Sequence, residues 1–136
     1  MGDPLQATFQ DLASFRANVG GIPARGGLLP DGGTLARIDT GGTSFYGMNA
    51  HGLPTLIGND FNYTHAEIDA LQQAFMAGQL DSSATMYVDR SLCPYCSRID
   101  GLPQAVQDLG MDELIVHDPV NSWQITPSGT VQIPRP

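Results

Sequence analysis

Apolar residues recur along the chain at two different spacings, which predict alternating helices and strands. A first helix is predicted by the three- and four-residue spacing of Phe9, Leu12, Phe15 and Val19. Residues 34–39 and 43–48 are expected to form strands, joined by a hairpin at Gly41 and Gly42 because glycine tolerates positive φ angles. Residues 20–33, rich in glycine and proline, predict a long loop between the helix and these strands.

The alternation continues through the second half of the chain. A helix is predicted from Thr64, with Ile68, Leu71 and Phe75 on its buried face and Gly78 as its stop. Further strands are expected at 84–89, 113–117, 123–126 and 130–133, and further helices at 91–101 and 103–109.

Helices that alternate with strands imply an α/β fold, and we expect a five-stranded mixed sheet flanked by helices. Crossover helices make the middle strands parallel. The link from His117 to Trp123 is too short for a crossover helix, so the last two strands are expected to be antiparallel.

Length and charge narrow the class of protein. The 136 residues suit one domain, 1–136, and no apolar run reaches the roughly 18 residues of a membrane span. The net charge is −8, and all six basic residues are arginines. Nucleic-acid binders usually present a basic surface, so this composition argues against nucleic acid without excluding a local arginine cluster.

Residues 1–4 lack the features of a signal peptide, so any export is expected by another route or within a longer chain.

The candidate chemistry lies in two short motifs at the starts of two predicted helices. His65 and Glu67 open one helix, and Cys93 and Cys96 open another. Both helices are expected to start at the sheet edge where open α/β sheets bind ligands. One imidazole and two thiolates leave the fourth tetrahedral position of Zn²⁺ open for water, as a catalytic site requires. Glu67, which is not a ligand, is then placed to move a proton from this water to a leaving amine.

The two motifs together resemble the cytidine deaminase superfamily, in which His65-x-Glu67 and Cys93-x-x-Cys96 have their counterparts. The resemblance spans about 34–133 and implies zinc-dependent attack of water on C4 of cytosine, giving uracil and ammonia. Within the superfamily the chain is most similar to deaminase domains of bacterial polymorphic toxins, in particular type VI-secreted toxins that act on single-stranded DNA. It departs from many members at Leu92, where they carry a proline.

The resemblance also implies substrate contacts and partners. It places Asn49, Ala66, Tyr95 and Trp123 at the substrate, and the two aromatic residues can stack on bases. It implies a secreted effector, the C-terminal toxin domain of a longer chain, which acts as a monomer in the cytoplasm of a target bacterium. A cognate immunity protein is then the expected partner, and no membrane binding is expected.

Alternative interpretations stay open for both motifs. Thr64-His65-Ala66-Glu67 also fits a capping box, in which Glu67 only caps its helix. Cys93-Pro94-Tyr95-Cys96 matches the motif of glutaredoxin-like thiol oxidoreductases, although that motif normally stands near the start of its fold.

A second interpretation is also open for the zinc site, for the substrate and for two of the substrate contacts. A structural zinc site would need a fourth ligand, for which His51 or His117 is available. A free nucleoside or base is the alternative substrate, which the acidic charge favours. Trp123 also fits a packing role, and Asn49 fits the closure of a turn.

Overall fold

A mixed sheet with helices on its faces forms the part of the chain that the computed structural model describes, residues 5–19, 35–48, 66–89 and 101–136. The helices are α1 (Gln6–Val19), α2 (Ala66–Met76) and α3 (Leu102–Asp108). The strands are β1 (Leu35–Thr40), β2 (Thr43–Met48), β3 (Ser83–Val88), β4 (Glu113–His117), β5 (Ser122–Thr126) and β6 (Gly129–Ile133). Within these ranges no helix is long and apolar enough to cross a membrane. The predicted α/β class with a mixed, helix-flanked sheet is confirmed.

The prediction of five strands is wrong, because the sheet has six, in the order β2-β1-β3-β4-β5-β6. The difference lies in the last hairpin, where β5 and β6 pair from Thr126 opposite Gly129 to Ser122 opposite Ile133. Since β5 also pairs with β4, the hairpin adds both of its strands to the sheet. The predicted directions are confirmed: β3 and β4 are parallel, whereas β5 runs antiparallel to β4.

Alternating side chains divide the core into two layers, one on each face of the sheet. The larger layer lies between the sheet and the pair α2 and α3, and its buried strand residues include Ala36, Ile38, Met86, Val88, Leu114 and Val116. On the opposite face, Leu35 packs against Leu12 of α1, with Phe9, Tyr46 and Tyr87 around them. The sheet is therefore covered by helices on both faces.

Polar contacts attach α1 to its face of the sheet. Asp11 of α1 accepts hydrogen bonds from Arg37 Nη1 at 3.0 Å and from the Tyr46 hydroxyl at 2.6 Å. Arg37 Nε also donates to Asp39 Oδ1 at 2.8 Å. Burial and the hydrogen bond to Asp11 raise the pKa of Tyr46 to about 12. Because these groups are partly exposed, their ion pairs add only modestly to stability. The bonds to Asp11 join α1 to β1 and β2, whereas the Arg37–Asp39 pair lies within β1.

A glycine ends α2, as the sequence predicts. Gly78 has a φ of 70°. Its N–H donates to Phe75 O at 3.0 Å, and Gln79 N–H donates to Ala74 O at 3.1 Å. This pair of bonds is the Schellman motif, which requires a left-handed residue after the helix. The motif turns the chain out of α2 toward β3.

Gly47 lets α2 lie directly on β2. A Cβ atom built on this residue would come closer than 3.0 Å to the Ala66 carbonyl oxygen and to the Ala70 N and Cα atoms. These are backbone atoms of the helix, so no side-chain rotation would relieve the overlap. A glycine inside a strand often marks such a close backbone approach. The distance between β2 and the start of α2 is therefore set by the absence of a side chain at position 47.

We predict that Gly47→Ala destabilises the protein, because the new methyl group forces the first turn of α2 away from the sheet. Overpacking of this kind costs about 1–3 kcal/mol. Urea denaturation measures the change. Gly42→Ala is the matched control in the same hairpin: a Cβ there has no atom within 4 Å, and only the φ of 79° penalises it. A Gly47→Ala protein at least as stable as Gly42→Ala would show that the helix does not rest on this residue.

Candidate active site

Four strands of the same direction end at one edge of the sheet, which we call the carboxyl edge. β6 is one of them, because it runs antiparallel to β5, which in turn runs antiparallel to β4. β2 and β3 both run antiparallel to β1, and β4 runs parallel to β3. The register aligns their ends, with Met48 opposite Leu35, Val88 opposite Ala36, and His117 opposite Tyr87. Open α/β sheets bind ligands beyond the carboxyl ends of their strands. We therefore expect a ligand-binding site at the carboxyl edge.

The first turn of α2 lies at this edge. Ala66 is fully buried, and its carbonyl oxygen lies over Gly47, the penultimate residue of β2. Glu67 follows and is only 2% exposed. The helix that carries Glu67 therefore starts at the carboxyl edge, as the sequence predicts.

Polar side chains are buried along the first two turns of α2. Besides Glu67, both Asp69 and Gln72 are buried, at 0% and 3% exposure. Asp69 Oδ1 accepts a hydrogen bond from Gln73 Nε2 at 3.1 Å. Burying a carboxylate is costly unless partners compensate, and fully buried glutamates are rare for that reason. Buried ionisable groups at a sheet edge are typical of catalytic sites, so Glu67 is the leading candidate acid–base residue among the described residues.

A second group of contacts at the carboxyl edge is centred on Asp118, directly after β4. Its carboxylate accepts hydrogen bonds from Val120 N at 2.8 Å, Asn121 N at 2.6 Å and Trp123 Nε1 at 3.2 Å. Trp123 packs at the margin of the core layer beneath α2 and α3. The indole ring thus lies on the same face of the sheet as Glu67, in an orientation that Asp118 holds.

Part of the predicted site lies among the residues that the structure describes. Ala66 and Glu67 stand together at the start of α2, and Trp123 stands on β5, two strands beyond β3. The remaining predicted residues lie outside the described residues: His65, Cys93 and Cys96 as ligands, and Asn49 and Tyr95 as substrate contacts. Within the described ranges, no three His, Cys, Asp or Glu residues form a group that could hold a metal ion.

His117, a candidate fourth ligand in the structural-zinc alternative, faces the other side of the sheet. Its Nδ1 lies 2.7 Å from Ser122 Oγ, and its ring centroid lies 5.4 Å from that of Tyr87. The side chain is 6% exposed. Tyr87 belongs to the layer under α1, so His117 is turned away from Glu67. This placement suits a buried, hydrogen-bonded residue better than a zinc ligand near α2.

Two residues of this region have roles that the sequence motifs do not reveal. The strand pattern includes Gly47 without distinguishing it, although a glycine inside a strand is itself a sign of close backbone approach. Asp118 begins an Asp-Pro pair directly after an apolar strand, which is a typical turn sequence. Both signals are local. Gly47 takes its role from the distant residues Ala66 and Ala70, whereas Asp118 takes its role from partners within five residues.

Comparison with protein families finds one family model that matches the chain, and it agrees with the resemblance that the two motifs carry. The family model of the MafB19-like deaminases matches residues 15–126, from α1 to the end of β5. Neither a comparison with curated proteins nor one with solved structures found a significant match. The family match covers most of the 136 residues and includes Glu67 and both cysteines. The chain therefore belongs to the MafB19-like deaminase family.

Proposed function

We propose that this deaminase is a zinc-dependent hydrolase that converts cytosine to uracil in single-stranded DNA. The observation that carries the proposal is the buried carboxylate of Glu67 at the carboxyl edge, in a chain of a deaminase family. A deaminase needs a group that moves protons between water and the leaving amine, and a carboxylate shielded from bulk solvent suits that task.

The proposed zinc ligands are His65, Cys93 and Cys96. One imidazole and two thiolates suit Zn²⁺, since the thiolates balance its charge and the fourth position stays open. Their places in the sequence agree with the carboxyl edge: His65 directly precedes Ala66, and Cys93 comes four positions after Asp89. Asp89 Oδ1 accepts a hydrogen bond from Leu35 N at 2.9 Å, at the end of the β1–β3 pair. Zinc bound there would lower the pKa of water toward neutrality and so supply the nucleophile.

Glu67 then acts on both sides of the reaction. Its carboxylate takes a proton as the oxygen of water bonds to C4 of cytosine, and it returns the proton to the exocyclic nitrogen as the C4–N bond breaks. The products are uracil and ammonia. We place Ala66 beside the base, next to Glu67. Its side chain is fully buried in the core, so the contact with the substrate comes from its backbone, while Asn49 and Tyr95 contact the nucleotide.

Recognition of a strand relies on stacking in this proposal. With a net charge of −8, the protein can neutralise few phosphates. Stacking of a base on an aromatic side chain is worth about 1–3 kcal/mol and needs no basic groove. Among the residues that the structure describes, Trp123 is the candidate for this stacking, because it lies at the carboxyl edge on the same face of the sheet as Glu67. The target base itself sits in the pocket.

The biological role that we propose is that of an interbacterial toxin. The domain would be the C-terminal part of a type VI-secreted effector, acting as a monomer in the cytoplasm of the target bacterium. A producing cell then needs an immunity protein that blocks the site.

We predict one zinc ion per chain, measured by elemental analysis of the purified protein. Cys96→Ala should lose the metal and unfold at lower temperature, because metal binding contributes to folding stability. Chelation of the wild-type protein should reproduce the variant's lowered melting temperature. Full zinc occupancy in Cys96→Ala would rule out this ligand set, and a metal-free wild-type protein would favour the glutaredoxin-like alternative.

We predict that Glu67→Gln keeps the fold and the metal but lowers kcat by a factor of about 10²–10⁴, since an amide cannot accept and return a proton. Glutamine still satisfies a capping box, so the capping alternative expects nearly normal activity. Asp69→Asn is the matched control, because Asp69 is equally buried on the same helix. A well-folded Glu67→Gln enzyme with the turnover of Asp69→Asn would leave Glu67 as a cap only.

We predict that an unpaired cytosine within a DNA strand is converted faster than free deoxycytidine, RNA or duplex DNA. Uracil release from equal amounts of cytosine in each form measures the preference. The rate on DNA should depend only weakly on salt, since few phosphates are neutralised. Fastest conversion of the nucleoside would replace the toxin hypothesis with that of a salvage enzyme, which the acidic charge also suits.

A further inference from the structure

The connection between β4 and β5, residues 118–121, is held from two sides; we call it the β4–β5 loop. From within, the Asp118 carboxylate accepts the three hydrogen bonds described above. From outside, Arg135 donates through Nη1 to the carbonyl oxygens of Asp118 at 2.8 Å and Asn121 at 3.1 Å. Its Nη2 atom lies 3.3 Å from the Pro119 carbonyl oxygen. One guanidinium group thus contacts the backbone of three of the four loop residues.

Arg135 is itself held in place. It follows β6 by two residues, and the last residue of β6, Ile133, pairs with Ser122 at the start of β5. Its guanidinium carbon lies 5.7 Å from the ring centroid of Phe9 on α1, within the range of a cation–π contact. The planar guanidinium group can serve several acceptors at once, whereas a lysine ammonium is a point charge. Arg135 therefore connects α1, β6 and the β4–β5 loop.

The loop stands at the carboxyl edge, on the β5 side of the proposed pocket. Adjacent strands lie about 4.8 Å apart, so β5 is roughly 10 Å from β3 along the edge. The loop exposes Pro119 and Val120, the latter at 69%. Through Asp118 it also fixes the indole N–H of Trp123. The orientation of Trp123 thus depends on the conformation of the loop.

We propose that Arg135 is a positioning residue for the substrate: by holding the β4–β5 loop, it keeps Trp123 ready to receive the base beside the target cytosine. This inference rests on the proposed function. Arg135 lies outside residues 15–126, whereas the β4–β5 loop that it holds lies inside, so this clamp of the loop by Arg135 joins the stretch that the family model matches to a residue beyond it. A loop that is ordered before binding loses less conformational entropy when the strand docks.

Removal of the guanidinium group has a local effect. Pro119 is exposed, so water can replace the contact of its carbonyl group at little cost, whereas Asp118 is buried and its carbonyl group loses a hydrogen bond that holds the loop. The loop then samples more conformations, and the Val120 and Asn121 amides exchange their hydrogens faster. Glu67 lies toward the β2 end of the carboxyl edge, so the substitution does not act directly on the chemistry there.

The experiment compares Arg135→Ala, Arg135→Lys and Val131→Ala with the wild-type enzyme. Val131 is the control because it lies on β6, is 60% exposed, and is not part of the clamp. For Arg135→Ala we expect KM for a single-stranded oligonucleotide to rise about 5-fold, which corresponds to a loss of about 1 kcal/mol of stacking. KM for deoxycytidine, which has no flanking base, should stay near the wild-type value. Arg135→Lys should fall between, and Val131→Ala should match the wild type.

Hydrogen exchange of residues 118–123, followed by mass spectrometry, supplies a readout that does not depend on activity. Faster exchange in Arg135→Ala than in Val131→Ala supports the clamp. Unchanged exchange, or an equal loss of activity on oligonucleotide and deoxycytidine, overturns the inference. If the wild-type protein deaminates no form of cytosine, the proposed function fails, while the exchange measurement still decides whether Arg135 orders the loop.

Discussion

The backbone contact between α2 and Gly47 is the constraint on which the site depends. Because nothing projects from the strand at this point, the helix approaches until its own backbone meets the sheet. That contact fixes the depth of Ala66 and therefore of Glu67, the adjacent residue. The strand register then relates this point to the rest of the carboxyl edge, from β2 through β1 and β3 to β4. A one-residue slip would exchange the two faces of a strand, so the different packing on the two faces keeps the register in place.

Local patterns predict most of the elements, because helices, strands and glycine stops depend on residues close in sequence. The apolar spacing indicates α1 and α2 with their C-terminal ends, and Gly78 adopts the left-handed conformation that a stop requires. The number of strands in the sheet does not follow from such patterns, because membership of a sheet depends on partners. The sequence marks both arms of the last hairpin, at 123–126 and 130–133, but the pairing that makes β6 the sixth strand of the same sheet is seen only in the structure.

The candidate site likewise has features that the local sequence predicts and features that depend on distant contacts. A motif identifies Glu67 from its neighbours, yet its 2% exposure is set by the packing of a whole helix against the sheet. The role of Gly47 depends on contacts with residues 66 and 70, and that of Arg135 on contacts with residues 118–121. No spacing rule in the sequence connects these positions. Composition is informative in another respect, since Arg37 and Arg135, two of the six basic residues, are engaged within the protein.

The separate locations of Glu67 and Arg135 bear on how such a domain can diversify. The carboxylate depends on β2 and α2, near one end of the sheet, whereas the loop depends on a residue beyond β6, at the other end. Substitutions distant from one another, with no shared partners, usually act additively. Mutations in the segment after β6 can therefore alter the β4–β5 loop while the surroundings of Glu67 are preserved. Selection for a new substrate, or the engineering of one, then has a stretch of chain distant from the buried carboxylate on which to act.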